Sequence, residues 1–314
     1  MKIIITGGTG LIGRALAADL VAKQNEVIIL TRSPNAADKL PDGVSLVIWD
    51  GKTANGWSQY AEGADAIVNL AGESIAGETP LKIRWTEARK KRILESRVNA
   101  GKAVVEAVTK AIKKPAVVIQ SSAVGFYGTQ NTTTFGEEAP EGRDFLAGVC
   151  KAWEESTLAV EKMGVRRAVI RTGVVLSSEG GALPMQMLPF LFFAGGPIGN
   201  GKQGYPWIHI RDEVKAIRFL IENPFASGVF NLTAPKMVNN AQFSTALGKA
   251  MNRPAFIPTP AFVFKLAFGE AATILLDGQL PQPKRLMQAG FQFEFSDPEI
   301  ALRDLFEHKK SMPK

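Results

Sequence analysis

The chain has one cysteine, Cys150, and two histidines, His209 and His308, among 314 residues. One thiol excludes an intramolecular disulfide framework and fits a reducing compartment, and so few thiolate and imidazole donors exclude a zinc site. Tyrosine is nearly as scarce. Tyr60, Tyr127 and Tyr205 are followed four residues later by Ala64, Asn131 and His209, so no Tyr-x-x-x-Lys pair exists. Long apolar runs are missing as well: the best stretch, Ala182 to Gly199, is broken by Pro184, Gln186, Pro189 and several glycines, too interrupted to span a bilayer. The apolar start at Ile3 to Ile5 stops at Thr6-Gly7-Gly8, short of a signal-peptide core. The expectation is a soluble, cytoplasmic protein with no membrane partner and no metal.

At ~150 residues per domain the length suits two domains, or one α/β domain carrying a smaller lobe. With 46% hydrophobic and 21% charged residues the chain has the composition of an ordinary globular protein. Net charge is 37 − 30 = +7, and much of it lies in Lys82 to Arg97, where seven basic residues meet only Glu87 and Glu95. No aromatic platform, zinc finger or helix-turn-helix accompanies this run, so it reads as a solvated face and not as a nucleic-acid site.

Short apolar runs alternate with amphipathic stretches through the first half. Strands are expected at Lys2 to Thr6, Glu26 to Thr31, Ser45 to Ile48, Ala66 to Asn69, Ala116 to Gln120 and Ala168 to Arg171; helices at Leu11 to Ala22, Arg84 to Ile112 and Ala147 to Met163. Apolar strands repeating between helices predict an α/β fold, a Rossmann-type doubly wound parallel sheet whose ligand crevice lies at the carboxyl ends of the strands. From Leu176 the rhythm gives way to Gly- and Pro-punctuated segments, with strands at Trp207 to His209 and Val229 to Leu232 around a helix at Glu213 to Glu222. Residues 1–176 plus about 206–232 are read as the Rossmann domain, and 177–205 with 233–314 as a smaller mixed C-terminal lobe on the substrate side. The clusters Phe190, Phe192, Phe193 and Phe262, Phe264, Phe268 read first as packing or interface.

The loop Gly7-Gly8-Thr9-Gly10-Leu11-Ile12-Gly13 follows the first strand directly and opens the first helix. In that context Gly7 supplies the tight turn, Gly10 admits a pyrophosphate, Gly13 lets helix pack on strand, and the first helical N–H groups face the anion. The second strand ends Thr31-Arg32-Ser33, with no acid to grip a ribose 2′-hydroxyl. A planar cation flanked by hydroxyls suits a 2′-phosphate, so NADP(H) is expected over NAD(H). Asp50 is a candidate acceptor for the adenine amino group, and Leu70, Ala71 and Gly72 end the fourth strand beside the cofactor's middle.

These motifs, with Ser121-Ser122-Ala123-Val124-Gly125-Phe126-Tyr127-Gly128 and Trp207-Ile208-His209-Ile210-Arg211-Asp212 in order, resemble an extended short-chain dehydrogenase/reductase along essentially the whole chain. Arg84-Trp85-Thr86 to Ser96-Arg97, Asp144-Phe145-Leu146 to Trp153-Glu154, Gly195-Gly196-Pro197-Ile198-Gly199 and Arg253-Pro254 to Pro258 are similar to the nucleoside-diphosphate-sugar epimerase-like family whose members are also labelled cell-division inhibitors. The resemblance implies a Tyr acid/base, a Lys four residues on and a Ser or Thr at the substrate carbonyl. This chain departs from that pattern, having Ala147 four before Lys151 and Ala123 four before Tyr127. Tyr127 is then the replacement acid, or substrate-side packing, and Ser122 the shifted hydroxyl. Lys151 either reaches the nicotinamide ribose or lies on a solvated face. The resemblance brings Arg97 toward a cofactor or substrate phosphate and Val174 near the nicotinamide carboxamide. It implies hydride transfer at a carbonyl or carbinol carbon of a sugar nucleotide or another small molecule; a homodimer is a separate expectation. The rival is a weakly active or inactive NADPH-binding regulator of cell division or envelope growth, which the missing Tyr-x-x-x-Lys favours.

Overall fold

The computed structural model describes residues 1–33, 40–77, 83–129 and 133–311, the last four of these by backbone alone. The strands are β1 (Lys2–Thr6), β2 (Glu26–Thr31), β3 (Val44–Ile48), β4 (Ala66–Asn69), β5 (Val117–Ala123), β6 (Arg166–Thr172), β7 (Val174–Leu176), β8 (Trp207–His209) and β9 (Gly228–Leu232). The helices are α1 (Leu11–Ala22), α2 (Ser58–Ala61), α3 (Glu87–Lys110), α4 (Phe145–Glu155), α5 (Leu183–Leu191), α6 (Ile210–Glu222), α7 (Asn240–Met251), α8 (Ala261–Phe268), α9 (Thr273–Leu276), α10 (Lys284–Gln288) and α11 (Pro298–Ser311).

Seven strands form one sheet in the order β3-β2-β1-β4-β5-β6-β9, every pair parallel. The strands are apolar on both faces because both are covered. Ile3, Ile5, Val27, Ile29 and Val68 pack with Leu16 and Leu20 of α1 and Ile217 of α6, while Ile4, Ile28, Ile67 and Val118 pack with the Ala100, Ala103, Ala107 stripe of α3. The order reverses between β1 and β4, which opens a crevice at their carboxyl ends. Among the described residues β7 pairs only with β8, in a separate parallel ribbon. Beyond it Trp207, Phe243, Leu302 and their neighbours form a second core.

Several element ends differ from the sequence expectation for local reasons. The Thr86 side chain accepts from Arg89 N and starts α3 at Glu87; the Glu62 carboxylate takes the amides of Ile112 and Lys113, which ends the helix at Lys110. The single helix expected over Ala147 to Met163 is two pieces. α4 stops at Glu155, where the Ser156 hydroxyl donates to Trp153 O, and a 3₁₀ helix covers Leu158–Met163. β5 and β6 run past the expected Gln120 and Arg171 to Ala123 and Thr172, because they keep pairing with each other to that point.

The basic run is less solvated than its composition suggests. Arg89 is buried and donates to the Ser74 and Ile75 carbonyls, Arg84 donates to Ala267 O and Leu266 O at the end of α8, and Lys90 pairs with Glu270. Lys82 lies outside the described residues. Packing of the phenylalanines is likewise uneven: Phe190 is 3% exposed, but Phe192 at the end of α5 is 80% exposed, and Phe262, on α8, which buries none of its residues fully, is 67% exposed. Among the described residues no helix is long and apolar enough to cross a membrane.

Candidate functional site

β1 delivers the chain into the glycine loop at the sheet's switch point. Gly7 has φ 67°, and a Cβ there would lie 2.8 Å from the Leu70 carbonyl carbon. A Cβ on Gly13 would lie 2.5 Å from Gly7 O, so the loop closes only with glycine at both positions. Gly10 is the N-cap of α1 and supplies no capping side chain. The amides of Leu11, Ile12 and Gly13 therefore face outward as an anion cradle. Thr9 contributes its carbonyl, which accepts from Arg14. Leu70, Ala71 and Gly72 run alongside, with Leu70 N donating to Thr6 O and Ala71 N to Thr6 Oγ1. A buried chain, Thr6 Oγ1 to Asn69 Oδ1 and Asn69 Nδ2 to Gln120 Oε1, fixes these strand ends.

At the end of β2, Thr31 and Ser33 bond each other and leave Arg32 exposed between them, its stem crossing Gly51. Arg32 makes no ion pair among the described residues. Asp50 is also exposed, and its carboxylate accepts from Lys52 N, Thr53 N and Thr53 Oγ1. Arg32→Ala should weaken NADPH by about 10- to 150-fold while leaving NADH nearly unchanged, from the loss of one charge-assisted contact of ~1.5–3 kcal/mol. Fluorescence titration of both cofactors checks this; equal losses for the two would assign Arg32 elsewhere.

The crevice widens beyond β5 and β6 into a cavity of about 460 Å³. Its walls include Trp85, Phe145, Leu146, Val149, Trp153 and Ile274, with Ala123 and Thr172 at the ends of β5 and β6 and Val174 on β7. Val174 N is committed to Pro206 O at 2.7 Å. On α4, Leu146, Val149, Cys150 and Trp153 present one helical face to the cavity. Arg97 reaches the same space from α3, its guanidinium 4.8 Å from the Trp153 ring centre. Burial pushes the Cys150 thiol up to about 11, reinforced by Glu154, so it is protonated at neutral pH.

The structure places the three catalytic candidates behind this wall and not in it. Ser122 Oγ donates to Glu154 Oε1 (2.7 Å), a carboxylate also held by Arg171. Tyr127 is 1% exposed and its hydroxyl donates to Asn231 Oδ1 on β9 (2.7 Å). Burial raises its pKa against the pull of Arg171. Lys151 lies on the outer face of α4 and pairs with Glu141 at 2.8 Å, since a residue one position past Cys150 points about 100° away. None of the three lines the cavity. His209, buried, caps α6 by accepting from Arg211 N and stacks on Phe295; the His308 side chain lies outside the described residues.

Two features escaped sequence reasoning. Cys150 and Trp153 belong with Leu146 and Val149 to an i, i+3, i+4, i+7 stripe facing the pocket, a spacing the sequence does carry. The pair Thr172 and Glu213 had no local signal: Thr172 Oγ1 donates to Glu213 Oε1 (2.9 Å) across 41 residues, and Thr172 borders the cavity. Glu213 is fully buried, and its pKa is pushed up to about 8 by that burial, the Thr172 hydrogen bond opposing.

A doubly wound sheet with a glycine cradle at its switch point, and a cavity where the strands end, defines a dinucleotide-binding α/β protein. The chain belongs to the NAD dependent epimerase/dehydratase family, whose family model matches residues 3–233; a domain of unknown function (DUF1731) matches residues 259–305. It is 39% identical to Epimerase family protein SDR39U1 homolog, chloroplastic, of Arabidopsis thaliana, over 98% of this chain and 87% of that one. It is also 39% identical to Epimerase family protein YfhF of Bacillus subtilis (strain 168), over 99% and 100%. Among solved structures, human epimerase family protein SDR39U1 (isoform 2) with NADPH superposes with a TM-score of 0.85 at 34% identity, covering 98% of this chain and 99% of that one.

Proposed function

We propose that the protein is a cytoplasmic NADP(H)-dependent oxidoreductase of the extended short-chain type, acting at a carbonyl or carbinol carbon of a small molecule, sugar nucleotides being one class to test. The observation that carries this reading is the glycine cradle opening onto the cavity, with Arg32 where a 2′-phosphate would sit; the NADPH in the human relative agrees. Leu11, Ile12 and Gly13 would hold the pyrophosphate, Thr31 and Arg32 the 2′-phosphate, Asp50 the adenine edge, and Leu70 to Gly72 with Val174 the nicotinamide half. When bound, the cofactor supplies or accepts the hydride. The chain's part is to seat the substrate against Leu146, Trp153 and Arg97, exclude water, and provide a proton from the cavity wall. With the Ser122, Tyr127 and Thr172 hydroxyls engaged elsewhere, the protonated Cys150 thiol is the wall group suited to that task.

Thermal shift and titration with NADPH and NADH, followed by reduced-nicotinamide absorbance with carbonyl and sugar-nucleotide panels, test the proposal. No binding of either cofactor would overturn it. The inward bonds of Ser122 and Tyr127 and the outward Lys151 also favour a second reading, a cofactor-occupied regulatory protein of cell division or envelope growth. Binding of NADPH with no turnover across both panels would select it. Tyr127→Phe separates the roles of its residue: the geometry predicts a stability loss of about 1–2 kcal/mol from the unpaired Asn231 acceptor, with NADPH affinity intact. A hundredfold loss of turnover at unchanged stability would instead put the hydroxyl at the substrate.

A further inference from the structure

Arg97 is the one cation among the described residues that line the cavity. Its Nη1 donates to the carbonyls of Glu73 (3.0 Å) and Ile93 (2.9 Å), which pins the guanidinium, and the ring of Trp153 covers one face. A Cβ on Gly72 would lie 3.0 Å from its Cζ, so Gly72 is what leaves room for the group. No carboxylate pairs with it among the described residues. Glu73, the nearby acid, pairs with Arg92 through its carboxylate. Burial pulls the Arg97 pKa down from its ordinary range, against weaker contributions from Cys150 and Glu73. A desolvated guanidinium without a counter-ion is costly, and Nε with Nη2 offers the planar two-donor edge that a carboxylate fits.

The rest of the lining limits what the anion is attached to. Trp85, Phe145, Leu146, Val149 and Ile274 give an aromatic and aliphatic surface. The acids on the wall are Asp144, which caps α4, Glu270, which pairs with Lys90, and Asp277. With Glu270 offset by Lys90, one cation faces Asp144 and Asp277, a balance that suits a single negative charge and repels a diphosphate.

We propose that the substrate is a small oxo or hydroxy acid with an apolar or aryl body, its one carboxylate seated on Arg97, and not a sugar nucleotide. This rests on the oxidoreductase reading above, and it gives the Arg97 contact with the substrate a specific partner, a carboxylate.

Benzoylformate, its neutral methyl ester and UDP-glucose are the probes, added to the full chain saturated with NADP⁺ and followed by tryptophan fluorescence, since Trp85 and Trp153 line the cavity. Benzoylformate should bind about tenfold or more tighter than the ester, the scale of one charge-assisted bidentate contact. Arg97→Gln should remove that difference while changing ester and NADP⁺ affinities by less than about threefold. Arg97→Lys, which keeps the charge without the fork, should restore part of it. Equal affinity for acid and ester in the wild type, or tighter binding of UDP-glucose than of either, would overturn the proposal even where the variants fail to fold. A parallel tenfold loss of NADP⁺ in Arg97→Gln would return the residue to the cofactor and overturn it too. If the wild type binds neither NADP⁺ nor NADPH, the oxidoreductase reading itself falls, an outcome distinct from all of these.

Discussion

Arg171→Met should destabilise the protein by about 3–5 kcal/mol, the range for removing one partner of a buried ion pair. Arg171 on β6 grips Glu154 on α4 through two bonds, Nε to Oε1 at 2.8 Å and Nη2 to Oε2 at 2.9 Å, with the two side chains 5% and 12% exposed. Its guanidinium also lies 3.4 Å from the ring centre of Phe126. Methionine fills much of the volume but leaves the Glu154 carboxylate, among the described residues, with only the Ser122 hydroxyl as a hydrogen-bond partner. Urea unfolding at neutral pH measures the loss. Because the cost is chiefly an orphaned charge, adding Glu154→Leu to Arg171→Met should recover a large part of it. A single variant within about 1 kcal/mol of the wild type would mean that water reaches the pair as it does a surface bridge.

Glu213→Gln should flatten the dependence of stability on pH between about pH 5 and pH 8. The Glu213 carboxyl is held neutral in the fold, with its pKa raised from 4.5 to about 8, whereas in the unfolded chain it ionises near its ordinary value. Between those two values the native state binds one more proton than the unfolded state, so stability from this group is full below about pH 4.5 and falls as pH rises through 8. The slope is about 1.4 kcal/mol per pH unit, amounting to a few kcal/mol over the range. Glutamine keeps an acceptor for Thr172 and cannot ionise. Relative to the wild type, the variant should therefore gain stability at pH 8 by a few kcal/mol more than at pH 5. Asp212, also raised by burial, is untouched and leaves its own smaller dependence. Denaturation curves for the two proteins that stay parallel at both pH values would show that Glu213 is ionised in the fold.

The reach of the sequence followed the reach of the interactions. β1, α1, β2 and β4 begin and end where periodicity put them, at Lys2–Thr6, Leu11–Ala22, Glu26–Thr31 and Ala66–Asn69, because each is bounded by its own turn residues. The glycine cradle was legible for the same reason: its seven residues are consecutive, and strand, turn and helix stand in one line. Helix ends set from afar were not, as with Glu62 stopping α3 from about 50 residues away. The chemistry of the cavity was hidden most completely. Tyr127 has a hydroxyl beside a glycine in a suggestive loop, but its partner Asn231 is 104 residues distant. Ser122 finds Glu154 32 residues on, and Lys151 finds Glu141 ten residues back. Only the fold could show that these three polar groups turn away from the space that Cys150 and Arg97 enter.

The grip of Arg84 on the end of α8 joins the two stretches that match separate family models. Across the cavity, Glu270, Thr273, Ile274, Leu275, Asp277 and Gln279 come from the second stretch, while the glycine cradle, Arg97 and the α4 face come from the first. The two stretches thus supply different sides of one cavity. A change confined to residues 259–305 would alter that side of the cavity and leave the glycine cradle as it was. Arg84, in the stretch that carries the cradle, is the contact that any such change must still meet.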